Sequence, residues 1–271
     1  MGIFAPMFAE KVIWITGASS GIGEELAKQL AKEKAYLILS ARRIEELERV
    51  KQYCLQFTNK VEILPVDLSL NHTLTDAANK ALSFFGKIDM LVNNGGISQR
   101  SGVLETSEEV EQRIMQINFT SAVTLTKAVL PQMEKNKFGN IILMSSITGK
   151  IGVPNRSTYC ASKHAIIGYF DALRAELRIK KSPVNIHIIM PGYVHTNISL
   201  HAVQGDGKAQ GLMDKGQANG MPVEECVRKI LSAVRRNKKE VLIGRKELLM
   251  AYFRRFIPSL YYSLIVKVAT K

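Results

Sequence analysis

The residues best placed to do chemistry in this chain are Tyr159 and Lys163, in the run YCASK. On a helix, positions i and i+4 share a face, so the Lys163 ammonium stands beside the Tyr159 phenol. An unperturbed tyrosine ionises near pH ~10, and a neighbouring positive charge lowers such a pKa by about 1–3 units. The spacing therefore predicts a tyrosine that donates and accepts a proton near neutral pH. Ser146 lies 13 residues earlier, at the end of a predicted strand, where it could hold a substrate oxygen beside the phenol. Ser145 is its rival, but strand alternation lets only one of the pair face the site, and the spacing selects Ser146. Cys160 and His164 read as helix-packing residues, and His195 as a loop residue that could touch substrate.

A second motif, TGASSGIG (16–23), follows an apolar run and opens an amphipathic one. Gly17 permits a tight turn, and Gly21 and Gly23 are expected to let a pyrophosphate approach the backbone and the helix N-terminus. Ser19, Ser20 and Ile22 belong to the same loop. At the end of the next apolar run the sequence reads LSARR. Ala41 stands where an acidic residue would bind a ribose 2′-hydroxyl, and Arg42 and Arg43 follow. That favours the 2′-phosphate of NADP(H) over NAD; solvated surface arginines are the alternative. Asp67, beside Leu68 in PVDLS, either caps a helix or accepts a bond from an adenine amine.

Seven short apolar runs must carry these residues: 11–16, 35–40, 61–66, 89–94, 140–145, 184–190 and 240–244. Continuous apolar strands suit a parallel sheet covered on both faces. Helical patterns alternate with them at 22–33, 43–57, 72–85, 107–136, 158–180 and 222–236. The alternation predicts an α/β fold, a single-domain, doubly wound, seven-stranded parallel sheet over residues 1–245. The stretch 201–222 has five glycines and little periodicity, so a mobile or partly helical lid is expected within 193–222. Residues 246–271 form an apolar, basic tail in which Pro258 should split any helix in two.

Six motifs together resemble the short-chain dehydrogenase/reductase family: TGASSGIG, NNGG (93–96), Asn118 in INFTS, the serine pair 145–146, YCASK and PGYVHT (191–196). Within it, the chain is similar to the branch of family member seven, some of whose members are membrane-attached. The resemblance spans roughly residues 10–245. It implies a Rossmann fold, dimers or tetramers, and a catalytic set of Asn118, Ser146, Tyr159 and Lys163. It also implies that Lys163 and Tyr159 meet the nicotinamide ribose and Thr196 the carboxamide. Pro191, Gly192 and Val194 would line that end, with Asn94 and Gly95 nearby and Asn93 at the adenine ribose. Gly95-Gly96 departs from the family's usual Ala-Gly, a loss of one methyl that should be tolerated.

The expected activity is hydride transfer between NADP(H) and a carbonyl or secondary alcohol. An apolar substrate such as a steroid, retinoid or lipid ketone is favoured by the tail and the branch. The alternative is a silent, cofactor-binding regulatory protein, against which the intact set of four argues. Three scattered cysteines, with no CxxC pair, support neither a disulfide framework nor a metal site, and point to a reducing, cytoplasmic setting. The net charge is +13. From Arg228 onward, 12 Lys and Arg face only Glu240 and Glu247, so +10 of it is C-terminal. Such a local excess, without a recognition motif, gives no support to nucleic-acid binding. It fits either a packed tail or a peripheral membrane contact. The N-terminal MGIFAP has Pro6 where a myristoylation signal wants Ser or Thr.

Overall fold

The first strand, β1 (Val12–Thr16), is buried at every position, as a strand covered on both faces must be. Ile13 and Ile15 face one core, with Phe8, Leu26 and Leu30. Val12 and Trp14 face the other, with Ile38, Leu125 and Phe170. Each fully buried side chain of this size contributes about 2 kcal/mol. The Trp14 indole N–H, which could not stay buried unpaired, donates to Ser40 Oγ at 2.8 Å. In this computed structural model residues 7–269 are described, with side chains through Lys267. The MGIFAP run, with its reading as a poor myristoylation signal, lies outside them, as do Thr270 and Lys271.

All seven predicted strands form: β1, β2 (Tyr36–Ser40), β3 (Val61–Ile63), β4 (Met90–Asn93), β5 (Gly139–Met144), β6 (Val184–Pro191) and β7 (Glu240–Ile243). They make one parallel sheet in the order β3-β2-β1-β4-β5-β6-β7. Ile13 pairs with Leu37 on one side and with Met90 on the other. The winding therefore reverses between β1 and β4, and a crevice opens at their carboxyl ends. Helices α1 (Gly21–Lys32), α2 (Ile44–Cys54), α3 (Leu74–Phe85), α4 (Glu108–Met115), α5 (Ser121–Lys135) and α6 (Ser157–Ile179) follow in turn. The predicted helix 107–136 is divided by a π-helical turn, Gln116–Thr120, which carries Asn118.

The glycine-rich 201–222 stretch contains one short helix, α7 (Lys215–Ala218), and is otherwise tied by single bridges, Val203 to Gln99 and Met221 to Val194. After α8 (Val223–Arg235) and β7, the tail forms α9 (Leu249–Phe256) and α10 (Pro258–Ala269). Pro258 begins the second piece, since it has no N–H to continue the first. Tyr261 and Ile265 of α10 are buried against Ile147 and Ile151.

Candidate active site

Two cavities meet at the crevice. The larger, about 460 Å³, is lined by Gly17, Ser19, Ser20, Gly21 and Ile22, by Arg42 and Arg43 beyond β2, by Asp67 and Leu68 beyond β3, and by Asn94 and Gly95 beyond β4. The smaller, about 250 Å³, is lined by Ser146, Tyr159 and Lys163, by Pro191, Gly192 and Val194, and by side chains of the lid and tail. Ile22, Asn94, Gly96, Thr196 and Ile198 line both, so the two spaces adjoin.

The glycine loop is shaped by contacts a methyl group would prevent. Gly17 has φ +67°, and a Cβ there would lie 2.8 Å from Gly95 Cα. Gly23 has a different role from the one expected. It lines neither cavity, and a Cβ would sit 2.2 Å from the Gly17 carbonyl oxygen, so it packs α1 against the loop. The Asn94 amide pins the loop by donating to the carbonyls of Thr16 and Gly17, at 2.9 and 3.2 Å. Asn93 points away: it is buried and donates to Thr126 Oγ1 at 3.3 Å, because successive strand residues face opposite sides. The missing methyl at Gly95 is also not idle space. A Cβ there would fall 2.4 Å from Leu68 Cδ1, so Leu68 fills that room.

At the far end of the cleft Arg43 reaches back to Ser19 Oγ at 3.4 Å, and Ala41 offers no carboxylate. Asp67 accepts from the N–H and hydroxyl of Ser69, at 2.9 and 2.7 Å, closing a local turn; it does not cap the helix that follows, whose flanking residue is Thr73. Burial pushes its carboxyl up, but the Ser69 bonds and the charges of Arg42 and Arg113 prevail and hold it below the usual range.

In the smaller cavity Ser146 accepts from the Thr148 N–H at 3.2 Å, at the start of a 3₁₀ turn, Ile147–Gly149. Ser145 points elsewhere, donating to the Lys163 carbonyl at 2.9 Å. Lys163 Nζ donates to the Met144 carbonyl at 2.8 Å and lies 5.7 Å from the Tyr159 ring centre. Asn118 lines neither cavity. Its amide is spent on the Ile97 N–H and carbonyl and on Ser162 Oγ, and it faces Lys163 Nζ across Gly96.

The expected electrostatics need correcting. Burial dominates at Tyr159 and raises its pKa above the ordinary 10. The opposing pull comes from a hydrogen bond with Ser146 and from the guanidinium groups of Arg156 and Arg100, not from Lys163. Burial also pushes Lys163 down to about 8, so its charge is one that a small rise in pH removes.

Several residues of this cavity are not evident from the motifs: Arg100, Arg156, Glu247, Met250 and Ile265, with Asp214 paired to the two arginines. Arg156 could have been found, since it precedes Tyr159 by three positions and so shares its helix face. The others come from distant segments with no local signature.

A doubly wound parallel sheet, with a glycine-rich loop at its switch point and a helix N-terminus behind it, defines a dinucleotide-binding Rossmann protein. Comparison with known proteins narrows this. A family model described as short chain dehydrogenase matches residues 11–206. Human dehydrogenase/reductase SDR family member 7 is 41% identical over 267 residues, covering 97% of this chain and 78% of that protein. The Drosophila melanogaster SDR family protein 7-like is 38% identical over 266 residues, 96% of this chain and 81% of its own. Among solved structures, a Burkholderia phymatum short chain dehydrogenase/reductase in complex with NAD superimposes with a TM-score of 0.83 at 22% identity, covering 95% of this chain and 96% of its own. A Sphingobium yanoikuyae short-chain dehydrogenase in complex with NADPH gives 0.75 at 26% identity, covering 86% and 87%. The chain belongs to the short-chain dehydrogenase/reductase family, a family of nicotinamide-dependent oxidoreductases acting on CH–OH and C=O groups.

Proposed function

We propose that this protein is an NADP(H)-dependent oxidoreductase that interconverts a carbonyl compound and its secondary alcohol, with Tyr159 as the general acid and base. The observation that carries the reading is the shared wall of the two cavities, which sets the arginine-bearing cleft against the space holding Ser146 and Tyr159. The cleft suits a dinucleotide phosphate. The α1 N-terminus opens on it without a side-chain cap, Gly17 and Gly21 keep its floor low, and Arg42 and Arg43 stand at the 2′-phosphate end, where Ala41 replaces a ribose-binding acid. Bound there, a nicotinamide supplies or accepts the hydride. The chain's residues do the rest. Ser146 donates a hydrogen bond to the substrate oxygen, and Tyr159 delivers the proton to it in reduction. Lys163 holds a charge behind the phenol and a hydrogen bond to the Met144 carbonyl. Asn118 fixes the loop after β4 through its bonds to Ile97. Apolar walls at Ile147, Ile151, Val153, Met250 and Ile265 favour a substrate with an apolar body. The test is oxidation of NADPH and NADH with a panel of apolar ketones. Reduction with NADPH preferred supports the reading; binding of cofactor without turnover on any member would favour the regulatory alternative.

The tail supports a further part of the proposal. Its inner face roofs the substrate cavity through Met250 and Ile265. Its outer face leaves Leu249, Tyr252, Phe256, Tyr262 and Val266 more than half exposed beside Arg254 and Arg255. None of the described helices is long and apolar enough to cross a membrane. An apolar face edged by cations suits peripheral attachment to an anionic bilayer, each cation adding about 1 kcal/mol. Packing against a second subunit in a dimer or tetramer is the competing use. Flotation with anionic vesicles at low salt supports attachment; a chain that stays unbound and elutes as a dimer or tetramer supports the subunit interface.

A further inference from the structure

Arg156 and Arg100 share the substrate cavity with Tyr159 and Ser146, and their side chains are only 16% and 12% exposed. One carboxylate, Asp214, serves both. Arg156 Nη2 reaches Asp214 Oδ2 at 2.9 Å, and Arg100 Nε reaches the same oxygen at 3.0 Å. Arg100 spends its remaining edge on Ser98 Oγ at 2.7 Å and the Gln99 carbonyl at 2.5 Å. Arg156 does not: its Nε and Nη1 make no hydrogen bond among the described residues. The carboxylate that lines the cavity, Glu247, accepts from the backbone N–H groups of Tyr193 and Arg245. The trio of Arg100, Arg156 and Asp214 is thus left with one positive charge in excess, inside a cavity whose walls are largely apolar. Burying a guanidinium with open donors is unfavourable unless something completes its bonding. Burial and the Arg100 charge accordingly push Arg156 below its ordinary pKa.

We propose that the substrate is an apolar oxo acid, or the matching hydroxy acid, whose carboxylate binds the free edge of Arg156. The proposal rests on the oxidoreductase reading for the fate of the carbonyl, and on the arginine alone for the carboxylate. A carboxylate accepts two parallel N–H bonds from a guanidinium, through Nη2 together with either Nε or Nη1, and beside its single bond to Asp214 the Nη2 of Arg156 has a second hydrogen for such an edge. Arg156 immediately precedes α6, three residues before Tyr159, so the acid end is anchored within about one helical turn of the proton donor. The hydrocarbon part then lies along Ile147, Ile151, Met250 and Ile265. Asp214, from the lid, competes for the same cation and is displaced or shared as the acid enters.

Calorimetric titration of the whole protein with 5-oxodecanoate and with its methyl ester tests this, alongside NADPH turnover of both. The acid should bind at least about tenfold more tightly than the ester, the scale of a charge-assisted hydrogen bond. Arg156→Gln should bring the ratio close to one. Asp214→Asn should raise it, by removing the internal competitor. A purely structural latch predicts instead that Asp214→Asn weakens both ligands alike and that Arg156→Gln leaves the ratio unchanged; either result overturns the proposal, as does equal binding of acid and ester by the unaltered protein. Preference for the acid without turnover upholds the carboxylate site and removes the oxidoreductase reading. Turnover of the ester as readily as the acid does the reverse.

Discussion

The cofactor cleft takes its walls from strand ends and backbone: the Gly17–Ile22 loop after β1, Arg42 and Arg43 after β2, Asp67 and Leu68 after β3, and Asn94 and Gly95 after β4. The substrate cavity draws side chains from stretches far apart in the chain, among them Arg100, Ser146 to Tyr159, Gln217 and Glu247 to Ile265. The first is built by the parallel sheet itself, since every strand delivers its following loop to the same edge. The second is closed by a lid and a tail that the sheet does not dictate. The cleft can therefore serve one ligand class while the lid and tail set what lies beside Tyr159.

Removing one hydroxyl should separate the two regions most sharply. Tyr159→Phe should lower turnover by about 10²–10⁴-fold while NADPH binding, measured by fluorescence, persists. Near-normal kcat would take the proton-transfer role away from Tyr159.

Lys163 lines the substrate cavity, and its burial should appear as a pH dependence of stability. Its folded pKa is about 8, against 10.5 for the ordinary side chain. Between those values the unfolded chain keeps the proton and the folded chain has released it. Unfolding then takes up a proton, so stability rises with pH across about 8 to 10.5. Below that window the buried charge costs up to about 3 kcal/mol. Lys163→Met should abolish the rise, as read by urea unfolding at pH values through the window. An equal slope in both proteins would mean that Lys163 is not desolvated.

On the cofactor side, Arg42→Ala should weaken NADPH about ten- to a hundredfold relative to NADH, since only NADPH offers a phosphate to the guanidinium. Equal losses for the two coenzymes would move the discrimination to Arg43.

The smallest effect belongs to the roof. Tyr261 donates to the Gly152 carbonyl at 2.5 Å and packs on Ile147 and Ile151. Tyr261→Phe should cost about 1 kcal/mol, lower Tm by about 2–4 °C and raise KM for substrate without altering cofactor affinity. A matching loss of cofactor affinity would show that the two regions are coupled through the tail.

Much of this was legible without coordinates, for identifiable reasons. Apolar runs such as VIWIT, alternating with amphipathic helices, suit a parallel sheet covered on both faces, and all seven such runs became strands. Pro258 lacks the N–H that would join α9 to α10, so the break between them was local chemistry. Ser146, Tyr159 and Lys163 share a cavity because one lies at a strand end and the others one turn apart on the next helix. Gly23 looked like a phosphate-binding glycine because a sequence shows spacing and not the neighbour, here the Gly17 carbonyl. Asn93 and Asn94 differ by one step of a strand, and only the sheet's orientation shows which faces the cleft.

The sequence by itself determined the order of strands and helices, the glycine loop and the helical pairing of Tyr159 with Lys163, because each depends on residues within a few positions of one another. Only the tertiary structure decided the proton affinities and the character of the substrate cavity. Burial raises Tyr159 and lowers Lys163, and burial is a property of everything packed around a group. Arg156 meets Asp214 from 58 positions away, and Tyr261 reaches Gly152 from 109. Contacts at such separations carry no local periodicity, so only the closed chain brings them together.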